Sequence, residues 1–231
     1  MGIIGGPDGS TIIYAGHIFH DGLSMGMFYL LLGALGVAAY FIGNISPSTI
    51  MAKKQGLDIK KEGSGNAGTT NALRVMGKKA GAITCIVDIL KGVVAALIGM
   101  VFAGDPGIYV CALCVFLGHV WPIVYKFKGG KGVATAFGAV LVVNPLIAVI
   151  DIVIVAIIVF TSKRMSLGSI IGSAMLPVLA LIFEQGYVLF ALVTAIILIV
   201  KHRANIGRLI RHEEPAMGIF KSKEEKESVE D

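Results

Sequence analysis

The sequence predicts an all-α integral membrane protein, built as a bundle of seven transmembrane helices. Hydrophobic residues make up 55% of the chain and the mean hydropathy is +0.82, whereas a soluble domain needs more polar residues to cover its surface. Charged residues make up 15% and form short blocks between long apolar runs, as expected for loops that connect membrane helices. The seven apolar runs are residues 27–45, 80–102, 108–125, 133–143, 146–160, 167–183 and 187–200.

The first run, residues 27–45, is long enough to cross a hydrocarbon core of about 30 Å at about 1.5 Å per helical residue. Its small residues recur every three or four positions, at Gly33, Gly36, Ala39 and Gly43. This spacing allows two helices to approach closely in lipid. We therefore expect one face of this helix to pack against a neighbour.

The second run, residues 80–102, carries Asp88 and Lys91 near its middle. Charges at that depth in a membrane are costly unless they are paired or face a polar interior, and an i,i+3 spacing puts these two on one face of a helix. We expect them to pair with each other or with loop residues. The sequence leaves open whether this pair is structural or lines a functional site.

The distribution of charge predicts the topology of the bundle. Seven crossings put three basic segments, 46–79, 126–132 and 161–166, on the same side as the C-terminal block. Every Lys and Arg except Lys91 then lies on that side, which the positive-inside rule makes cytoplasmic. The short run 133–143 is counted as a crossing because leaving it out would move the link 161–166 to the opposite side.

Composition divides the chain into three parts. Residues 1–26 contain no Lys or Arg and lack the features of a secretory signal, so we expect an extracytoplasmic N-terminal extension. Residues 27–214 form the membrane domain, and residues 215–231 are expected to be a charged, disordered cytoplasmic tail. Cys111 and Cys114 have the spacing of redox and zinc sites, but no second Cys/His pair lies nearby, so no metal is predicted.

Three polar blocks interrupt the apolar sequence, at residues 63–74, 126–135 and 201–214. The first combines glycines with Ser, Thr and Asn side chains and an arginine, which suits an oxyanion bound by N–H and O–H donors. The predicted topology brings all three blocks to the cytoplasmic face. The donors and cations that converge there are Ser64, Thr70, Asn71, Arg74, His119, Lys128, Lys131, His202, Arg203, Asn205 and Arg208.

The second block contains Gly129-Gly130-Lys131-Gly132, which resembles part of a phosphate-binding P-loop. The complete spacing of that motif is missing and no strand precedes it, so a nucleotide-binding fold is excluded. The glycine N–H groups and the lysine still offer a second place for a phosphate.

A site for two phosphates at the lipid interface is as far as the residues alone lead. No paired Asp/Glu, metal-ligand cluster or Ser/His/Asp arrangement stands out, so substrate positioning and electrostatic stabilisation are expected to dominate. Two function classes remain: a lipid-synthesis enzyme and a membrane transporter of a phosphorylated small molecule. The pair Asp88/Lys91 favours a transporter, whereas the crowding of polar groups at one interface, without an evident internal repeat, favours an enzyme.

Four blocks, in this order, are similar to the signature motifs of the bacterial acyl-phosphate:glycerol-3-phosphate acyltransferase family. They are Gly63-Ser64-Gly65-Asn66-x-Gly68-x-Thr70-Asn71-x-x-Arg74, Asp88-x-x-Lys91-Gly92, Gly118-His119-x-Trp121-Pro122 followed by Phe127-Lys128-Gly129-Gly130-Lys131-Gly132-Val133-Ala134-Thr135, and His202-Arg203-x-Asn205-Ile206-x-Arg208-Leu209. The resemblance covers residues 27–214. The sequence departs from the family pattern at Thr69, where the family usually has alanine, and at His212, where a glycine commonly precedes the acidic pair.

The resemblance implies a seven-helix enzyme of the bacterial inner membrane whose active site faces the cytoplasm. Such an enzyme transfers a fatty acyl group from acyl phosphate to the 1-hydroxyl of sn-glycerol 3-phosphate, and it releases lysophosphatidic acid and phosphate in phospholipid synthesis. No cofactor is implied, since acyl phosphate is already activated. The implied partners are the two substrates, membrane lipid and, by metabolic logic, the enzyme that makes acyl phosphate; nucleic acid is not among them. An acyltransferase that uses acyl-CoA would instead show a His-x-x-x-x-Asp pair, which the sequence lacks.

The resemblance also implies roles for individual residues. The implied catalytic residues, which would hold glycerol 3-phosphate and the transition state, are Ser64, Arg74, Lys131, His202 and Asn205. The acyl phosphate would be bound by Thr70 and by the backbones of Gly68 to Asn71 and of Gly129, Gly130 and Lys131, with Lys128, His119, Arg203 and Arg208 as further substrate-binding residues. The base that accepts the hydroxyl proton is either the phosphate of the donor or His202.

Overall fold

The computed structural model of the chain describes residues 24–217, and within this range every regular element is a helix. The all-α class is thereby confirmed for the described residues. Residues 1–23, most of the predicted extension 1–26, and residues 218–231, most of the predicted tail 215–231, lie outside them. The helices are α1 (Met25–Gly43), α2 (Pro47–Lys54), α3 (Thr69–Val120), α4 (Val133–Val143), α5 (Pro145–Ser162), α6 (Met165–Phe183), α7 (Val188–Lys201) and α8 (Arg203–Ile210), with short 3₁₀ helices at Ile123–Tyr125 and Gln185–Tyr187.

Helix α3 is long but not continuous. The backbone leaves the helical region at Gly77, where φ is 83°, and at Ala103 and Gly104, where φ is −146° and 58°. Glycine adopts positive φ without a steric penalty, and the second break falls between the predicted apolar runs 80–102 and 108–125. These breaks divide α3 into three segments: α3a (69–76), α3b (78–102) and α3c (105–120).

Each of the seven predicted apolar runs coincides with a helix or helical segment of the described chain, namely α1, α3b, α3c and α4 to α7. Four stretches are long and apolar enough to span a membrane: Met25–Lys54, Thr69–Tyr125, Pro145–Ser162 and Met165–Phe183. A fifth is reached if Gln185–Lys201 and Arg203–Ile210, which meet at a bend of 57°, form one span. Helix α4 is a shorter apolar helix, so the number of crossings and the side of each terminus stay predictions.

The outer faces of the helices are apolar. Leu30, Phe160 and Leu189 expose 75%, 68% and 67% of their surface. Soluble monomers rarely expose large continuous apolar patches, whereas lipid tails cover them without cost. The exposed surface is therefore that of an integral membrane protein.

Helices α1 and α3c approach most closely at glycine. Gly43 lies against Gly118, and a Cβ on Gly43 would overlap the main-chain oxygen of Val115. Gly36 is buried in the same contact, whereas no atom lies within 4 Å of a Cβ built on Gly33. The predicted close packing is therefore confirmed for Gly36 and Gly43 and is wrong for Gly33, which faces away from α3.

Helices α3b and α4 also meet through their backbones. A Cβ on Gly92 would overlap the main-chain oxygen of Thr135, and a Cβ on Gly138 would overlap that of Ile89. Small residues allow this approach because they remove the side chain between two helix axes. The contact fixes the first turns of α4, which follow directly on the second polar block.

We predict that Gly43→Ala destabilises the protein and that the same change at Gly33 does not. The added methyl group at Gly43 overlaps backbone atoms, so the free energy of unfolding should fall by about 1–3 kcal/mol. At Gly33 there is open space and alanine is the better helix former. Thermal unfolding of both variants in detergent measures the difference. Equal midpoints for the two variants would show that the glycine contact does not hold α1 against α3.

Candidate active site

The glycine-rich loop before α3 is held by the Asn71 side chain. Its Oδ1 accepts a hydrogen bond from the N–H of Ser64 at 2.8 Å, and its Nδ2 donates to the main-chain oxygens of Ile59 and Glu62 at 3.1 and 3.0 Å. Asn71 is 1% exposed. At Gly63 the φ angle is 58° and a Cβ would overlap Asn71 Oδ1, so glycine is required there. Asn71 therefore shapes the loop that presents Ser64.

Two helices begin at this site without a side-chain cap. Gly68 precedes α3, Gly132 precedes α4, and neither terminus has a capping hydrogen bond from a side chain. The first N–H groups of a helix have no intrahelical partner and carry partial positive charge, which favours anions. Gly68, Gly132 and the two residues after each of them line the same cavity.

Gly129 and Gly130 pack on His119 instead of lining that cavity. The N–H of Gly130 donates to the main-chain oxygen of His119 at 3.2 Å, and a Cβ on Gly130 would overlap His119 Nε2. This pair of glycines is therefore explained by close packing. The N–H groups that reach the cavity belong to the next residues, at the start of α4.

The cavity has a volume of about 430 Å³ and two chemically different ends. Its polar wall includes Ser64, Asn66, Thr69, Thr70, Asn71, Arg74, Asp88, His119, Lys131, Ser166, His202, Asn205, Arg208 and Glu214. Its apolar wall includes Ile89, Val133, Phe137, Ile152, Val155, Ala156, Val159, Phe160 and Met165. Such a cavity suits a molecule with an anionic head and a hydrocarbon tail.

A chain of polar contacts crosses the polar end of the cavity. Lys131 Nζ donates to Asn205 Oδ1 at 2.5 Å, and Asn205 Nδ2 donates to Glu214 Oε1 at 2.6 Å. The other carboxylate oxygen of Glu214 accepts from Arg208 Nε at 2.7 Å. The four side chains are thus fixed relative to one another, although they come from the loop before α4 and from the C-terminal block.

The pKa of Lys131 is lowered from 10.5 to about 8. Burial is the largest cause, and the neighbouring charges of Arg208 and Arg74 lower it further, while Glu214 acts in the opposite direction. Lys131 is therefore mainly a cation at neutral pH and loses its proton as the pH rises through about 8. Three cations around one cavity create a strong preference for anionic ligands.

Glu214 is a member of this chain of contacts that the sequence analysis missed. Burial acts to raise its pKa, but its interactions with Ser166, Asn205 and Arg208 outweigh that effect, so the pKa lies below its ordinary value. The signal in the sequence is an acidic pair, Glu213 and Glu214, at the end of a basic block. The spacing alone does not reveal which of the two carboxylates is buried.

The turn at His212 directs Glu214 back toward α8. His212 has a φ of 57°, and the N–H of Glu213 donates to the main-chain oxygen of Arg208 at 2.8 Å. This left-handed conformation is unfavourable for a residue with a Cβ and free for glycine. Glycine, which the resemblance implies at this position, would adopt this turn without that penalty.

His202 follows α7 and is 2% exposed. Its Nδ1 lies 2.8 Å from the main-chain oxygen of Leu198, and because a carbonyl oxygen only accepts, Nδ1 carries the hydrogen. Burial, reinforced by the charge of Lys131, lowers the pKa of His202 to about 4. The ring is therefore neutral at pH 7, and its Nε2 is free to accept a hydrogen.

Asp88 and Lys91 pair with each other, and the pair includes His119. Lys91 Nζ lies 2.7 Å from Asp88 Oδ1 and 2.7 Å from His119 Nδ1, and it donates to the main-chain oxygen of Ile45 at 2.8 Å. The predicted pairing within α3b is confirmed. Asp88 and His119 also line the cavity, so the group is both a structural ion pair and part of the site wall.

The structure brings most of the predicted site residues together. Those that line the cavity are Ser64, Gly68, Thr70, Asn71, Arg74, His119, Lys131, His202, Asn205 and Arg208. The remaining four, Lys128, Gly129, Gly130 and Arg203, are not part of its wall, and Lys128 and Arg203 are exposed. Among residues 24–217, no group of three or more His, Cys, Asp or Glu side chains has an arrangement that could hold a metal ion.

Comparison with known proteins identifies close relatives. A family model described as glycerol-3-phosphate acyltransferase matches residues 33–212. Glycerol-3-phosphate acyltransferases of Finegoldia magna and Clostridioides difficile are 46% and 44% identical to this chain, over 83% and 80% of its length and 99% and 94% of theirs.

Solved structures show the same fold. The glycerol 3-phosphate form of PlsY (YgiH), an integral membrane glycerol 3-phosphate acyltransferase, is 34% identical and gives a TM-score of 0.76 over 82% of this chain and 99% of that chain. The lysophosphatidic acid form of PlsY is also 34% identical, with a TM-score of 0.74 over 81% of this chain and 95% of that chain.

We predict that Glu214→Gln lowers the thermodynamic stability of the protein and that Glu213→Gln does not. The Glu214 carboxylate is 7% exposed and bonded to Arg208, whereas Glu213 is 57% exposed in its contact with Arg211. Loss of the buried charge should lower the free energy of unfolding by about 1–3 kcal/mol, against less than about 0.5 kcal/mol for the surface pair. Denaturant unfolding in detergent measures both. A Glu214 variant as stable as the Glu213 control would contradict the structural importance of this carboxylate.

Proposed function

The chain belongs to the glycerol-3-phosphate acyltransferase family, and we propose that it transfers a fatty acyl group from an acyl phosphate to the 1-hydroxyl of sn-glycerol 3-phosphate. The products are 1-acyl-glycerol 3-phosphate and inorganic phosphate. Each substrate carries one phosphate, and the donor also carries a hydrocarbon chain. No cofactor takes part, because the acyl phosphate is already activated.

One observation carries this proposal: two uncapped helix N-termini and an apolar groove meet in a single cavity. Each N-terminus suits one phosphate, and the cations Arg74, Lys131 and Arg208 add charge at the same end. The apolar wall formed by α4, α5 and α6 suits the acyl chain. A site for a single soluble phosphate compound would not need that wall.

We assign the acyl phosphate to the two helix starts, near Gly68, Thr70 and Gly132. Glycerol 3-phosphate is assigned to the neighbouring side chains Ser64, Arg74, Lys131, His202 and Asn205. Asn71, whose amide is occupied by the loop, acts in this scheme by shaping the donor site. Gly129 and Gly130 act by holding the polypeptide against His119, so that the backbone from Gly132 onward faces the donor phosphate.

In the proposed reaction the 1-hydroxyl oxygen of glycerol 3-phosphate attacks the acyl carbonyl carbon. Lys131 and the N–H groups at the start of α4 stabilise the charge that develops on the carbonyl oxygen. The bond to the phosphate oxygen then breaks and phosphate leaves. The hydroxyl proton goes either to Nε2 of His202, which is unprotonated and lies in the cavity wall, or to the departing phosphate.

We further propose that residues 27–214 form the catalytic membrane domain with seven crossings. The N-terminus is then outside, the C-terminus is cytoplasmic, and the polar end of the cavity faces the cytoplasm of the bacterial inner membrane. The distribution of Lys and Arg supports this orientation, as does the presence of a helix or helical segment at each of the seven apolar runs. In this orientation a soluble enzyme that makes acyl phosphate has direct access to the site.

A transporter of a phosphorylated small molecule is the alternative, and the intramembrane pair Asp88/Lys91 is the observation that favours it. The Lys91 ammonium is buried and already in contact with Asp88, His119 and the Ile45 carbonyl. This lysine is therefore not available to carry a solute. The acyltransferase accounts for the apolar groove as well and is preferred.

Phosphate release by the purified protein in detergent tests the proposal. With palmitoyl phosphate as donor, release should require glycerol 3-phosphate and should be lost in Lys131→Ala. Lys79→Ala, a change at an exposed lysine outside the cavity wall, should retain activity, and palmitoyl-CoA should not replace the donor. Well-folded protein that transfers from neither donor would instead support the transporter.

The pKa of Lys131 predicts how activity depends on pH. Since it lies at about 8, kcat/KM for glycerol 3-phosphate should fall as the pH rises through that value and Lys131 loses its charge. Glu214→Gln should move this fall to lower pH, because the Glu214 carboxylate is the neighbouring charge that raises the pKa of Lys131. Lys79→Ala should leave the fall unchanged. A profile that is flat on both sides of pH 8 would rule out protonated Lys131 as the required cation.

A further inference from the structure

A smaller cavity of about 50 Å³ continues the apolar end of the candidate active site. The two cavities share the wall residues Val133, Phe137, Ile152, Val155 and Ser169. Asp151 of α5 lies in the wall of the smaller cavity. It precedes Val159, a wall residue of the main cavity, by eight positions of the helix, or about 12 Å along its axis.

Asp151 places a carboxyl group in the mainly apolar wall of the smaller cavity. Its Oδ1 is buried and has no hydrogen-bond partner. On the facing helix α6, a Cβ on Gly172 would lie 3.1 Å from that oxygen and 3.4 Å from Oδ2, so the glycine makes room for the carboxyl group. A carboxyl group at such a position in an apolar bundle lowers stability, whether it is ionised or protonated.

The neighbouring hydroxyl groups do not satisfy Asp151. Ser169 donates to the main-chain oxygen of Met165 at 3.0 Å, and Ser173 donates to that of Ser169 at 2.6 Å. Their hydrogens are thus used within α6. The cavity beside Asp151 is large enough to hold water, which is the remaining partner for the carboxyl group.

We propose that Asp151 determines the length of acyl chain that the enzyme accepts. The inference rests on the proposed acyl transfer and adds a specificity residue to it. The end of a short chain stops before Asp151 and leaves the carboxyl group hydrated. A longer chain that entered the small cavity would displace this water and leave the carboxyl group without any hydrogen bond, which is unfavourable. Asp151 thus acts on the end of the chain and takes no part in the chemical step.

Two substitutions of Asp151 by side chains of similar size test whether its polarity, and not its volume, limits the length of the acyl chain. Asp151→Leu makes the end of the groove apolar, whereas Asp151→Asn keeps a polar group of the same outline. The measurement is kcat/KM of the purified full chain for lauroyl, palmitoyl and stearoyl phosphate. In Asp151→Leu the ratio of stearoyl to lauroyl should rise about tenfold, the effect of burying roughly two more methylene groups, and in Asp151→Asn it should stay close to that of the natural protein.

An unchanged ratio in an active Asp151→Leu protein would overturn the inference, since it would mean that the chain leaves the groove before it reaches α5. The thermal midpoint of Asp151→Leu should not fall, because the change removes an unsatisfied buried group; a clear fall would show a structural role instead. If that variant does not fold, the isosteric pair Asp151→Val and Asp151→Thr decides by the same ratio. Absence of transfer from every donor by the natural protein would overturn the proposed function together with this inference, whereas transfer with unaltered selectivity overturns the inference alone.

Discussion

The Lys91 ammonium is the group on which the architecture of the site depends. It joins three parts of the chain: Asp88 in α3b, His119 at the end of α3c and the Ile45 carbonyl between α1 and α2. Lys91 Nζ lies 2.7 Å from Asp88 Oδ1, 2.7 Å from His119 Nδ1 and 2.8 Å from the Ile45 oxygen. Removing one partner of a buried ion pair typically lowers the free energy of unfolding by about 3–5 kcal/mol. The contacts of Lys91 therefore stabilise the packing of these three segments against one another.

His119 connects the ion pair to the glycine-rich loop before α4. Its carbonyl accepts from the N–H of Gly130, and its ring lies against the same glycine. Lys131 is the next residue, and α4 begins two residues later. The other side of the imidazole ring, at Nδ1, contacts Lys91. The positions of Lys131 and of the first turn of α4 therefore depend on the contact between His119 and Lys91.

Cations dominate the polar end of the cavity, and this arrangement is unfavourable without a ligand. Arg74 and Arg208 lower the pKa of Lys131 and Glu214 partly compensates, while Asn205 connects the lysine to that carboxylate. A binding site whose charges are fixed before the ligand arrives needs little reorganisation when charge develops in the transition state. An anionic ligand would offset this excess of positive charge.

Several features of the site followed from local sequence, and others depended on distant contacts. The pairing of Asp88 with Lys91 was predictable because i,i+3 neighbours meet on any helix. The convergence of Ser64, Lys131 and Asn205 was predictable because the distribution of charge assigns all three polar blocks to one side of the predicted bundle. The burial of Glu214 was not, because it depends on the left-handed turn at His212.

The sequence by itself determined the helices and their approximate ends. Lipid offers no hydrogen bonds to a backbone, so each long apolar run has to satisfy its own N–H and C=O groups as a helix, whatever its neighbours are. Only the tertiary structure decided that Gly130 packs on His119, that the open N–H groups lie at the start of α4, and that Asp151 faces the end of the groove. These depend on how helices far apart in sequence approach each other, and that approach is set by the shapes of both surfaces together.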